Sequence, residues 1–99
     1  MGFLDSLAQN NWGKRKDGTL KGGGWLGPLR RPDGRVSTEL SVGVNLGRGE
    51  VEIPLLVPTL NKNEVEYLLR GGEPTREIMD KAAKHAVERM RQGMSPFKD

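Results

Sequence analysis

The run VSTELSVGVNL at residues 36–46 alternates without a break. Val36, Thr38, Leu40, Val42, Val44 and Leu46 fall on one side, and Ser37, Glu39, Ser41, Gly43 and Asn45 on the other. Successive strand side chains point to opposite faces, so the run reads as a half-buried β-strand. Just upstream, Arg31-Pro32-Asp33-Gly34 has the chemistry of a tight turn, with Pro second and Gly fourth. Folding back on that turn makes residues 25–30 a short first strand, with Leu29 opposite Val36 and Trp25 opposite Leu40. Downstream, the apolar residues sit at odd positions, Val51, Ile53 and Leu55. A two-residue loop at Arg48-Gly49 pairs Leu46 with Val51, Val44 with Ile53 and Val42 with Leu55. Arg48 is not a preferred residue for that loop, which leaves a longer one in the same register open. Pro28 and Pro54 fall in the flanking strands and none falls in the middle run. Proline cannot donate to a ladder, so the order 1-2-3 with the second strand central is expected.

Helical patterns follow. Asn61 and Glu64 have the spacing of a capping box, and Leu60 with Val65 that of a hydrophobic staple. Val65, Leu68 and Leu69 form the apolar side, and Gly71-Gly72 stops the helix. A longer helix starts near Pro74-Thr75 and runs to about Gln92, with Ile78, Met79, Ala82, Ala83, Ala86, Val87 and Met90 as its stripe. Glu77/Lys81, Asp80/Lys84 and Lys84/Glu88 lie one helical turn apart on its solvent side. Gly93 ends it, before a short tail at Ser95-Pro96-Phe97. The expected architecture is α+β: a three-stranded antiparallel β-meander packed against two C-terminal helices. Residues 1–24 are expected to be a basic, Gly-rich, extended N-terminal arm and residues 25–99 the small α+β domain. Within the arm, Phe3, Leu4, Leu7 and Ala8 sit at helical spacing, Asn10-Asn11 and Gly13 break it, and Gly22-Gly23-Gly24 is a flexible hinge. Such an arm orders only against something, and an assembly is the simplest candidate.

Composition narrows the function. Hydrophobic residues are 34% of the 99, and 14 positions are glycine, which has no side chain to bury. A thin core in so small a chain favours reliance on a partner or on copies of itself. No cysteine is present, which excludes a disulfide scaffold and thiolate chemistry and fits an intracellular or virion setting. No apolar run approaches the roughly 20 residues of a membrane span. The net charge of +3 is uneven: residues 1–35 carry seven Lys/Arg and three Asp, whereas residues 36–99 carry nine Lys/Arg and ten Asp/Glu.

The candidate chemistry is sparse. Gly22 to Gly27 spells G-x-G-x-x-G, but a polar arm precedes it and Pro28 with a turn follows, which is not the strand–loop–helix setting of a dinucleotide site. No cofactor is expected. His85, the one histidine, has neither cysteines for a metal site nor a visible nucleophile beside it. Glu39, Glu50 and Glu52 fall on the polar side of the sheet, where carboxylates usually serve solvation and discourage stray edge pairing. No catalytic and no metal-binding residue is assigned, and an enzyme is not expected. The best binding candidate is a cluster of cations, Lys14, Arg15, Lys16, Lys21, Arg30, Arg31 and Arg35, interleaved with Trp12 and Trp25. Cations neutralise phosphates and aromatics stack on bases, but the same set suits an acidic protein surface, and its aromatic spacing matches no base-reading module. A protein surface is preferred. The partner-binding residues taken forward are Trp12, Lys14, Arg15, Lys16, Trp25, Arg30, Arg31 and Arg35.

Across residues 17–44, 51–60 and 64–97 the chain resembles a small domain of bacteriophage proteins, found alone and appended to larger virion and internal proteins. The likeness is carried by Gly24 to Gly27, the Arg31-Pro32-Asp33-Gly34 turn, Ser37-Thr38-Glu39, Val57-Pro58-Thr59-Leu60, His85 and Ser95-Pro96-Phe97. It implies a non-enzymatic virion structural component at the head, the head–tail junction or the tail, assembled in the bacterial host cytoplasm. Other virion proteins would be its partners, docked through the basic, Trp-containing arm and in symmetric multiple copies, with weak nucleic-acid contact secondary and no membrane span. Two alternatives stand beside it: a phage nucleic-acid-binding accessory protein, or a small inhibitor of a host or defence protein. The first sixteen residues fall outside the likeness and carry what is particular to this chain.

Overall fold

A computed structural model describes residues 12–15, 18–47 and 49–98. The helical spacing at Phe3 to Ala8, the cation Lys16 and the loop residue Arg48 lie outside the described residues. The class is α+β, but the strands form two separate antiparallel pairs and not one three-stranded meander. Strand β1 (Leu29–Arg30) pairs with β2 (Val36–Ser37), and β3 (Ser41–Asn45) pairs with β4 (Glu50–Pro54). Helices α1 (Lys62–Leu69) and α2 (Arg76–Arg91) follow.

The alternating run 36–46 is thus split at Thr38-Glu39-Leu40. Thr38 and Glu39 are both buried, at 2% and 3% exposure. A regular strand sends neighbouring side chains to opposite faces, so one covering layer cannot bury both. The chain therefore turns at this point. Beyond the bend the second ladder resumes at once: the Leu55 N–H donates to the Leu40 carbonyl over 2.6 Å.

Both registers depart from expectation. In the first hairpin Leu29 faces Ser37 and Arg30 faces Val36, one residue away from the expected pairing. The turn explains it. The Gly34 N–H donates to the Arg31 carbonyl, Gly34 adopts φ +88°, and the Arg31 N–H then reaches the Arg35 carbonyl. The loop accordingly holds Pro32, Asp33 and Gly34, one residue longer than expected. A one-residue slip exchanges the faces, which leaves Val36 45% exposed. Trp25 lies outside the strand and does not pair with Leu40.

In the second hairpin Val44 faces Val51 and Val42 faces Ile53, two residues from the expected pairing. An even shift keeps every side chain on its face. Gly47 and Gly49, free to adopt positive φ, shape the connection, and the Asn45 side-chain oxygen accepts from the Gly47 N–H.

The helices match their local signals. Asn61 and Glu64 form the reciprocal capping box, and Thr75 caps α2 by accepting from the Ile78 N–H. Gly71 and Gly93 close the two C-termini in the left-handed conformation, each with the paired backbone bonds of a Schellman motif. The core joins Ile53, Leu55 and Leu56 to Leu68, Ile78, Ala82 and Ala86. The two alanines are fully buried, which lets α2 pass close to the second hairpin. Val87, expected in the apolar stripe, is 36% exposed. Lys81 bonds to Glu64 of α1 over 2.8 Å, so this cation ties the two helices together.

Candidate functional site

Residues 13–15 and 18–21 form the two sides of a narrow ribbon. Lys14 bridges Leu20, the Arg15 N–H donates to the Thr19 carbonyl, and the Lys21 N–H donates to the Gly13 carbonyl. The ribbon is fastened to the domain by charge. The Arg15 Nε and Nη2 groups each donate to one oxygen of Glu39 over 2.8 Å, and the Gly22 N–H donates to the same carboxylate over 2.9 Å. This is the fork geometry in which guanidinium and carboxylate bind most strongly. It accounts for the burial of Glu39, which sequence reading placed on the solvent side of the sheet. The backbone closes tightly here: a Cβ on Gly24, whose φ is +81°, would lie 2.0 Å from the Thr38 carbonyl oxygen.

The C-terminal tail joins the same cluster. The Arg15 guanidinium lies over the Phe97 ring at 4.1 Å, and Phe97 is only 6% exposed. The Trp25 indole N–H donates to the Pro96 carbonyl over 3.1 Å. The Arg89 Nε–H donates to the Ser95 carbonyl, and its guanidinium lies 4.7 Å from the Trp25 ring. The His85 ring meets Trp25 edge to face at 4.8 Å. Burial, and then the nearby Arg89 charge, hold this imidazole below the usual histidine range, so it is neutral at pH 7. Gly24, Thr38-Glu39, His85 and Ser95-Pro96-Phe97, scattered over the sequence, therefore converge on one place. Phe97, Arg89 and Lys98 were not singled out as partners of Trp25 or Arg15. The signal available for Arg89 was its position one helical turn after His85.

The expected contact residues divide. Arg15 and Trp25 are occupied inside the domain by the bonds just described. Trp12 is half-buried and Lys14 exposed. Arg30 and Arg35 are exposed and Arg31 is half-buried, and none of these three makes an ion pair among the described residues. They surround the first hairpin's turn, which Asp33 stiffens by accepting from the Arg35 N–H.

The other candidate groups stay apart. The run Gly22 to Gly27 has no strand before it and no helix after it. Glu52 accepts from the Ser41 hydroxyl over 2.8 Å, while Glu50 is exposed. Among the described residues, no three His, Asp or Glu side chains gather as metal ligands, and no helix is long and apolar enough to cross a membrane. Comparison with protein families, curated proteins and solved structures gives no match.

Proposed function

We propose that the chain is a non-enzymatic structural component of a bacteriophage particle, docking on neighbouring virion proteins through its basic first hairpin. The virion setting rests on the sequence resemblance. The docking role rests chiefly on one observation: Arg30, Arg31 and Arg35 cluster around a rigid turn without carboxylate partners among the described residues. Cations left in that state on a stiff support suit an acidic surface, and little ordering entropy is lost when they engage one. Arg15 and Trp25, first read as contacts, act here as the clasp that holds the ribbon and tail to the domain. Repetition around a ring or shell makes weak single contacts sufficient.

Quantitative mass spectrometry of purified particles tests this reading. A fixed copy number supports it. Absence from particles overturns it and directs attention to the infected cell, where a one-to-one complex with a host protein would favour the inhibitor alternative. DNA affinity that falls steeply with salt would favour the nucleic-acid alternative.

A further inference from the structure

Between the first hairpin and the end of α1 lies a groove lined by Arg30, Arg31, Pro32, Glu66, Leu69 and Arg70. Its charge is uneven, with three arginines against one glutamate. Arg70 is the C-terminal cap residue of α1 and is exposed. Arg31 differs from its neighbours. Its Nε is buried and has no hydrogen-bond partner among the described residues. A buried donor without an acceptor is unusual in a folded protein and calls for an explanation.

We propose that this groove binds a segment of a partner protein in which an acidic side chain stands beside an apolar one. The proposal rests on the docking function above and names the partner's chemistry. A carboxylate that draws the half-buried Arg31 side chain outward supplies the acceptor that its shielded Nε lacks, and arginine's fork binds carboxylates with two parallel bonds. Arg30 and Arg70 add charge from the two walls. The apolar neighbour covers the exposed Pro32 ring and the small remaining edge of the buried Leu69, an apolar strip on which a phosphodiester backbone has nothing to place. Glu66 at the rim opposes a dense polyanion but tolerates a single carboxylate. These features favour a peptide over nucleic acid.

The test is an NMR titration of the full chain labelled with nitrogen-15. The probe is a blocked peptide of alternating glutamate and leucine. A glutamate–serine peptide, sodium phosphate and a duplex DNA oligomer serve as comparisons. The expected result is a shift of the Arg31 Nε–H signal together with Leu69 and Arg70 amides, caused by the glutamate–leucine peptide at lower concentration than by any comparison ligand. Arg70→Glu, at an exposed position, should weaken binding about tenfold or more, as loss of a charged contact does. Arg30→Glu reads the opposite wall and stands in should Arg70→Glu fail to fold. Equal response to the glutamate–serine peptide, stronger response to DNA, or shifts confined to another surface would overturn the proposal. The particle experiment fails separately. Peptide binding by a chain missing from particles sinks the virion reading alone. Full incorporation of a folded groove variant sinks the groove as the contact.

Discussion

At the scale of single residues, the Arg15–Glu39 pair has the greatest leverage. Glu39 is 3% exposed and Arg15's side chain 12%, so removing one partner strands a charge away from water. Arg15→Ala should lower stability by about 3–5 kcal/mol, the range found when one half of a buried pair is deleted. Replacing both partners with apolar residues of similar size, as in Arg15→Met with Glu39→Leu, should recover much of that loss. Urea unfolding of the three proteins checks both statements. A double variant as unstable as Arg15→Ala would show that the pair's geometry, and not a stranded charge, governs the effect. His85 gives a second expectation. Its folded pKa lies below its unfolded value, because burial and Arg89 disfavour the cation. The folded state thus binds fewer protons, and this contribution is complete above about pH 6.5 and lost as the pH falls. Melting temperature should fall as the pH is lowered from about 6.5, and His85→Gln should flatten that slope. Glu64, held below the usual carboxylate range by its Lys81 and Asn61 hydrogen bonds, acts only at lower pH, below its ordinary value of 4.5. Its contribution is likewise present at high pH and lost on acidification. An unchanged slope in His85→Gln would assign the acid sensitivity elsewhere.

At the scale of elements, the helices were legible and the sheet was only half so. The reason is the reach of the interactions involved. Asn61 with Glu64, Thr75, Gly71 and Gly93 act within one turn of chain, so residue spacing alone carries their signal. Asn61→Ala should accordingly cost about 1 kcal/mol, the usual value of a lost N-cap, read as a lower urea midpoint at unchanged slope. A change below a few tenths would mean that tertiary packing holds α1 without its cap. The run 36–46, by contrast, has a flawless period of two and is nevertheless bent in its middle. A buried carboxylate whose partner lies 24 residues upstream outweighs local periodicity, and no pattern within the run encodes that partner. The hairpin registers show the same limit at smaller scale. Gly34 in the left-handed conformation adds one residue to the first loop and turns Val36 outward. In the second hairpin the odd–even parity read from Val51, Ile53 and Leu55 survived, because a shift by two leaves the faces unchanged.

For the whole molecule, the basic residues serve two purposes that composition cannot separate. One group works inward: Arg15 reaches Glu39 and Phe97, and Arg89 reaches Ser95 and Trp25, so a small core gains a second cluster that closes ribbon and tail onto the domain. The other group stays free of ion pairs among the described residues, around one turn and one helix end: Arg30, Arg35 and Arg70 are exposed and Arg31 is half-buried. Sequence reading identified the cations but gave them a single outward role, because net charge is the same whether a side chain faces a partner or its own chain; Trp25 was read both as a contact and as a cap on the domain's own core. Exposure and hydrogen-bond partners make the division. Surface charges away from such contacts are expected to shift stability by no more than about 0.5 kcal/mol. Arg30→Glu with Arg35→Glu should therefore fold and melt like the parent while losing its partner. The most direct measurement is the copy number of this double variant in purified phage particles, relative to the parent chain, by quantitative mass spectrometry. The expected result is a fixed copy number for the parent and a loss of about tenfold or more for the variant at unchanged melting temperature. Equal incorporation of both, or absence of both, would contradict docking through the first hairpin.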